Sequence, residues 1–268
     1  MAPGAPRVAL VTGAASGMGQ LASWRLAAGD AAVAALDVDA DGLARTARRA
    51  PNITPITCDV TDADAVERAV AEVVDRLGPI DRVMNAAAIA PTGRLLDQPV
   101  EQITRVMEVN YFGLVNVTKA TMPAMVERGH GELVQFASLA GWLPSQTFGA
   151  YSATKFAVVC FTETLAHETA GSGVRVCAVC PPVVDTPLLE QIGPNGPKRF
   201  DEMPRITPEE VLDAIEVALE RGQLFAFPGR GTRTLVRLRR FIPSVVWRQI
   251  DAMEAGSARP TLLPPRSR

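Results

Sequence analysis

A glycine-bearing turn between an apolar strand and a helix constrains this chain more than any other feature. The run RVALVT, Arg7 to Thr12, leads directly into Gly13-Ala14-Ala15-Ser16-Gly17-Met18-Gly19, and a helical pattern follows. Glycines there allow a tight turn and a close backbone approach to a ligand. The helix start presents free N–H groups and the positive end of a dipole, so it favours an anion such as a pyrophosphate. A glycine triplet alone is a weak signal, and a ligand-free turn is the bland alternative. Its place between a first strand and a first helix gives it weight.

The rest of the chain repeats the rhythm. Ala31–Asp37, Ile53–Cys58, Asp81–Ala86, Glu132–Ala137, Val174–Val179 and Leu224–Pro228 read as further strands. They are apolar almost throughout rather than alternating, as expected of parallel strands covered on both faces. Helical patterns fill the gaps, notably Asp62–Leu77, Val100–Glu127, Tyr151–Ala170 and Pro208–Arg221. Strand–helix alternation predicts an α/β, doubly wound (Rossmann-like), seven-stranded parallel sheet with helices on both faces. A length of 268 residues with 47% apolar residues suffices for one large core. The expected single domain is residues 1–228, with a Pro- and Gly-containing lid at about 187–207. Residues 229–268 form an arginine-rich extension. It reads as a basic amphipathic helix packed on the domain or on a second subunit. Contact with a membrane surface is the less favoured reading, because Pro243 breaks the helix and the apolar face is short.

Composition excludes several classes. A net charge of −2 gives no footprint for nucleic acid. The N-terminus lacks a secretory pattern, and no apolar run is long enough to span a bilayer. Cys58, Cys160, Cys177 and Cys180 read as buried free thiols rather than metal ligands. Cys177 and Cys180 are spaced C-x-x-C, but within a strand they point to opposite faces. No metal is expected, and a cytoplasmic setting fits.

The candidate cofactor site grows from the first turn. Asp37 ends the second strand, 18 residues after Gly19. A carboxylate there accepts hydrogen bonds from adenosine ribose hydroxyls and repels a 2′-phosphate. Neither Ser16 nor Val38 is basic, so NAD(H) is preferred over NADP(H). Asp59, with the Val60 N–H beside it, suits an adenine amino group. Asn85 ends the fourth strand and would hold the loop beside the cofactor ribose. Asp62 reads as a helix N-cap.

The candidate catalytic residues follow. Tyr151 and Lys155 are spaced i, i+4 and share a helix face. An ammonium beside a phenol is expected to lower the phenol pKa and make it a proton donor or acceptor. Ser138 ends the fifth strand 13 residues earlier and would orient a substrate oxygen. Asn110 is a polar residue in an apolar helical segment; it could kink the helix and hold a water near Lys155. His130 and His167 read as structural or solvent-facing. Apolar lining for a substrate is expected from Ala90–Leu96, from Leu139–Phe148 (Trp142, Leu143, Phe148) and from the lid (Leu188, Leu189, Ile192, Phe200, Met203).

Taken together, Thr12-Gly13-x-x-x-Gly17-x-Gly19, Asp59, Asn85, Asn110, Ser138 and Tyr151-x-x-x-Lys155 resemble the short-chain dehydrogenase/reductase family, in its common non-extended branch. The likeness covers roughly residues 7–228. It implies a catalytic tetrad of Asn110, Ser138, Tyr151 and Lys155 and hydride transfer at a nicotinamide. It also implies Val184 and Thr186 at the nicotinamide carboxamide, and a homo-oligomer, tetramer or dimer, paired through the helices holding Asn110 and Tyr151. Two positions depart from the family pattern: Ala88 stands where glycine is usual, and Pro182 follows Pro181. The expected activity is NAD(H)-dependent interconversion of a secondary alcohol and a ketone, with a hydrophobic substrate and Tyr151 as general acid/base. The rival readings are an NADPH-dependent carbonyl reductase and a non-catalytic NAD(H)-binding regulatory protein.

Overall fold

The computed structural model describes residues 6–192, 196–197, 200 and 203–254. Seven parallel strands form one sheet in the order β3-β2-β1-β4-β5-β6-β7. They are β1 Val8–Thr12, β2 Ala32–Asp37, β3 Ile53–Thr57, β4 Arg82–Asn85, β5 Gly131–Phe136, β6 Val174–Val179 and β7 Phe225–Ala226. Strand order reverses between β1 and β4, so the crevice above their carboxyl ends is the place where such a sheet binds ligands.

The two faces of the sheet carry separate cores, because strand neighbours point in opposite directions. Ala9, Val11, Val33 and Ala35 face helices α1 (Gly17–Ala28) and α8 (Pro208–Glu220), where Ala22, Leu26, Leu212 and Ile215 complete the packing. Val8, Leu10, Ala34 and Leu36 face α3 (Ala63–Leu77) and α5 (Gly113–Arg128), meeting Val66, Val73, Val117 and Met125. The remaining helices are α2 Ala40–Ala47, α4 Val100–Met107, α6 Gly149–Glu168, α7 Leu188–Ile192, α9 Thr232–Phe241 and α10 Pro243–Glu254. Asp39, Asp62 and Thr207 cap α2, α3 and α8 through their side chains. Asp62 thus takes the capping role its position suggests.

Two expectations change in detail. The single helix expected over Val100–Glu127 is divided by a π turn at Glu108–Phe112, with Asn110 at its centre. The wider turn admits one extra residue and swings Asn110 inward. Cys58, Cys177 and Cys180 are buried free thiols, but Cys160 is exposed, since it lies on the outer face of α6.

A polar network missing from the sequence reading locks the amino ends of the central strands. Arg82 of β4 is bonded to Glu132 of β5 and, at 2.6 and 3.1 Å, to Glu216 of α8; Arg175 of β6 closes on Glu132. The Arg82 and Glu132 side chains are 5% and 4% exposed, whereas Glu216 is 44% exposed. Burial works against the Arg82 charge, and the two carboxylates more than reverse that, raising its pKa. Glu132→Ala leaves the buried Arg82 with only the half-exposed Glu216 as carboxylate partner and should cost about 3 kcal/mol in urea unfolding. Glu216→Ala, losing a solvent-facing partner, should cost about 1 kcal/mol or less. Equal losses would contradict this picture.

Candidate active site

The crevice over the β1/β4 reversal holds two adjoining cavities. The first, about 1130 Å³, is lined by Gly13, Ser16, Gly17, Met18, Gly19, Asp37, Asp59, Val60, Ala86–Ala88, Arg105 and Thr186. The second, about 660 Å³, is lined by Ser138, Tyr151, Phe148, Pro181, Pro182, Val184, Thr186 and a set of apolar side chains. Met18, Thr186 and Leu188 border both.

Backbone geometry fits the first cavity to an anion. A Cβ on Gly19 would fall 2.2 Å from the Gly13 carbonyl oxygen, and one on Gly13 would meet the Ala87 backbone at 2.8 Å. Only hydrogen fits at either place. Gly13 also sits at φ +68°, where side chains are strained. Gly17, Met18 and Gly19 are the first residues of α1, whose first turn contains no acid, unlike those of α2, α3, α4 and α8. Its positive end is left without a carboxylate of its own. Ser16 precedes the helix, is exposed, and makes no side-chain capping bond. The residues therefore suit a dinucleotide, with the Gly13–Gly19 turn placed for its pyrophosphate.

The carboxylates are held ready. Asp37 accepts from the N–H of Ala15 at 3.0 Å and of Asp39 at 3.1 Å, tying the end of β2 to the glycine turn. Asp59 accepts from the N–H and hydroxyl of Thr61 at 2.9 and 2.8 Å, and Arg105 lies 3.5 Å away. Burial pushes the Asp59 pKa up, but Thr61 and Arg105 outweigh it and hold the carboxyl below its ordinary value. Arg105 and Thr61 carry no sequence pattern that would have marked them. Asn116 donates to the Val60 carbonyl at 2.9 Å and braces the cavity wall.

Asn85 lies elsewhere than expected. Its side chain is buried below the crevice and donates to Gln135 at 2.9 Å and to Thr118 at 3.4 Å, so it ties β4 to β5 and α5 rather than approaching the ribose site. The loop after it takes no positive φ at Ala86, Ala87 or Ala88, so Ala88 is accommodated without strain. Pro181 offers its carbonyl to the Leu139 N–H at 2.8 Å, and Pro182 faces the second cavity.

Ser138, Tyr151, Lys155 and Asn110 converge from β5, α6 and the π turn. Tyr151 and Ser138 line the same wall of the second cavity, and the Ser138 hydroxyl lies close enough to pull the Tyr151 pKa down. Ser138 Oγ also accepts from the Ala140 N–H at 3.1 Å, which fixes it. Lys155 Nζ donates to the Phe136 carbonyl at 2.6 Å and stands 5.5 Å from the Tyr151 ring centre. Asn110 accepts from the Ile89 N–H at 2.8 Å and donates to the Ile89 carbonyl at 2.9 Å and Thr154 at 3.2 Å. Both its amide hydrogens are engaged in clamping the β4 loop to α6, which leaves one oxygen lone pair for any water.

The electrostatics correct one expectation. The Tyr151 pKa is not lowered in the protein alone. Complete burial pushes it up to about 12, against the smaller pull of the Ser138 hydroxyl. Lys155 is pushed down to about 8 by burial, with the Cys180 thiol acting the other way. Burial disfavours both charged forms, and the ammonium spends its bond on a backbone carbonyl rather than on the phenol.

The apolar lining is also revised. Phe148, Leu188, Leu189, Ile192, Phe200 and Met203 line the second cavity as expected, with Leu139 and Met18. Trp142 and Leu143 do not. Trp142 packs on Phe225 and Phe227, and Leu143 is buried against Val246 and Ile250. Leu95 and Leu96 are exposed on the surface. Phe148 stacks on Tyr151 at 4.4 Å between ring centres, and Phe200 meets Phe148 edge-on at 5.4 Å. Among the described residues no cluster of His, Cys, Asp or Glu is placed to hold a metal, and no helix is long and apolar enough to cross a membrane.

Comparison with known proteins decides the family. Residues 7–196 match the short chain dehydrogenase family profile. The chain belongs to the short-chain dehydrogenase/reductase family. It is 36% identical over 252 residues to 1-deoxy-11-beta-hydroxypentalenate dehydrogenase of Streptomyces exfoliatus, covering 91% of this chain and 90% of that one. It is 36% identical over 220 residues to 2-(R)-hydroxypropyl-CoM dehydrogenase of Xanthobacter autotrophicus, covering 79% and 88%. The solved 3-ketoacyl-(acyl-carrier-protein) reductase from Brucella melitensis complexed with NADH superposes with a TM-score of 0.76 at 26% identity, covering 84% of this chain and 98% of that one. This short-chain dehydrogenase is accordingly an oxidoreductase acting on CH–OH groups.

The buried ammonium makes a stability prediction. Lys155 binds its proton only below about pH 8 in the folded chain, but below 10.5 when unfolded. Between those values the unfolded state holds the extra proton, so this residue's penalty is fully present below pH 8 and fades as pH rises toward 10.5. Without dinucleotide, Lys155→Met should unfold at higher urea than the parent at pH 7, by about 3 kcal/mol. The gap should close by pH 10. A gap independent of pH would refute the shifted ionisation.

Proposed function

We propose that this enzyme interconverts a secondary alcohol and a ketone of apolar character with NAD(H), with Tyr151 as the proton-transfer group. The observation that carries the reading is that Tyr151 and Ser138 line the apolar cavity adjoining the glycine-turn cavity, with Lys155 5.5 Å from the Tyr151 ring centre and held on the Phe136 carbonyl. The bound nicotinamide would supply or accept the hydride. Ser138 and Tyr151 would hold the substrate oxygen between their hydroxyls, and Tyr151 would give or take its proton. Lys155, loosened from the Phe136 carbonyl, would reach a ribose hydroxyl and favour the phenolate by its charge. Asn110 would act by position, fixing α6 against the β4 loop.

Cofactor contacts follow the first cavity. Gly13, Ser16, Gly17, Met18 and Gly19 would surround the pyrophosphate, Asp37 the adenosine ribose, and Asp59 and Val60 the adenine. Val184 and Thr186 would hold the carboxamide. The Asp37 carboxylate at the strand end supports NAD(H) over NADP(H). Asn85 keeps a supporting role from below. Apolar walls from Phe148, Leu188, Leu189, Ile192, Phe200 and Met203 support a hydrophobic substrate. Exposed Phe112 and Phe156, on the segments flanking Asn110 and Tyr151, suit pairing of copies through those helices.

An NADH absorbance assay over a ketone panel from small polar sugars to bulky apolar rings tests the reading. Turnover should be confined to the apolar members; activity on sugars alone would end it. Tyr151→Phe should lower kcat by about 10²–10⁴-fold while NADH binding, followed by fluorescence, persists. Undiminished turnover would remove Tyr151 from its role. Asp37→Ala should raise the NADPH-to-NADH turnover ratio by about tenfold or more, the effect of deleting one like-charge contact worth ~1.4 kcal/mol. An unchanged ratio would show that Asp37 does not set the preference.

A further inference from the structure

The two helices that end the described chain take no part in the chemistry above, yet their surface is built in stripes. Between Gly229 and Ile250 stand Arg230, Arg233, Arg237, Arg239, Arg240 and Arg248, with no Asp or Glu, in a chain of net charge −2. On α9, Leu235 and Val236 are half-buried toward the domain. Arg233, Arg237 and Arg240, at i, i+4 and i+7, form an exposed basic stripe. Thr234, Leu238 and Phe241 form the next stripe, one residue further round, and Ile242 and Val245 are exposed at the junction with α10. Phe241 is 78% exposed, and Leu238, Ile242 and Val245 are 43%, 41% and 46% exposed.

Pro243 does not end the surface, as its sequence position had suggested. It is the first residue of α10, where its missing N–H costs nothing, and the chain resumes as a helix at once. Exposed apolar side chains therefore stand on both sides of the junction between the helices. Val246 and Ile250, on the inward side of α10, anchor it against Leu139 and Leu143, and Gln146 donates to Asp251 at 2.8 Å.

We propose that this helix pair docks on a bilayer surface bearing anionic headgroups. Guanidinium groups pair bidentately with phosphate, and the neighbouring Leu238, Phe241, Ile242 and Val245 would enter the headgroup boundary. A second copy of this chain fits less well. A two-fold contact sets each patch against itself, so Arg233, Arg237 and Arg240 would face their own copies, while the acids of this helix pair, Asp251 and Glu254, lie at the far end of α10 and Asp251 is already bonded to Gln146. Leu139 and Met203 of the cavity wall belong to the same apolar cluster as Val246 and Ile250. Docking thus brings the substrate cavity close to the lipid phase, a consequence that rests on the apolar-substrate reading above.

The test is co-sedimentation of the full chain with phosphatidylcholine vesicles and with phosphatidylcholine–phosphatidylglycerol vesicles. Binding should require phosphatidylglycerol and weaken as salt rises. Replacing Arg233, Arg237 and Arg240 together by Gln should lower the partition coefficient about a hundredfold. Phe241→Ser should lower it about tenfold. Both variants alter exposed residues, so their unfolding midpoints and turnover of a soluble ketone should match the parent. Absence of vesicle binding, equal binding to neutral vesicles, or a parent oligomer whose mass falls on Phe241→Ser would overturn the proposal. Vesicle binding without turnover of any apolar ketone would instead sink the substrate reading alone.

Discussion

The close approach of Gly19 to the Gly13 carbonyl oxygen is the contact on which the rest of this molecule turns. With no room for even one carbon between them, the chain reverses from β1 into α1 within a few residues. That reversal aims the helix start at the crevice. It also brings Gly13 against Ala87, so the β4 loop lies flat on the turn. Asp37 is recruited through the Ala15 N–H, and Thr46 bonds the Ala14 carbonyl at 2.8 Å from behind. The cofactor-side wall is thus one hydrogen-bonded unit, and its shape is set by backbone rather than by adjustable side chains.

The opposite end of the sheet is organised by charge. Arg82, Glu132 and Arg175 lie on three adjacent strands, β4, β5 and β6, and Glu216 reaches them from α8. Such a network adds little net energy over an apolar packing of the same shape, but it penalises any slip in register, because a slipped strand would bury an unpaired ion. Fixing β4 against β5 at their amino ends fixes Asn85 and Ser138 at their carboxyl ends, where the Asn85–Gln135 bond repeats the lock. Geometry at the site is therefore held from both ends of the same strands.

Much of this was legible in the sequence, and the reasons differ by feature. Strand positions were readable because buried parallel strands are apolar on both faces, and Asp37, Ser138 and Tyr151 could be placed because strand ends and i, i+4 spacings are local. Asn85 was read as holding the loop after β4; its position at a strand end says nothing about which way the side chain turns, and its bonds run to Gln135 and Thr118. The bonds of Arg105 to Thr61 and Asp59, and those of the Glu132 network, join residues 43 or more apart, and no spacing rule reports those. The π turn around Asn110 was signalled by a polar residue in an apolar helix, although its form was not. Trp142 and Leu143 looked like pocket lining because the extension that buries Leu143 could not be docked from sequence.

The pKa of Tyr151 carries the most chemical weight among the revisions. A spacing rule says that an ammonium one turn away acidifies a phenol; burial says that both groups prefer to be neutral. In the chain alone burial wins, because Lys155 is tied to the Phe136 carbonyl and the Tyr151 ring is sealed by Phe148 and, through it, Phe200. A phenol held near 12 keeps its proton at neutral pH but is a weak donor, so proton transfer in either direction gains from a lower value. In the proposed reaction, alcohol oxidation needs the base, so it depends on charge that arrives with the oxidised dinucleotide and on release of Lys155 toward the ribose. Ketone reduction starts from the protonated phenol the fold provides, and it too gains when a nearby positive charge lowers the Tyr151 pKa. Burial keeps the proton on Tyr151 until a ligand's charge draws it off.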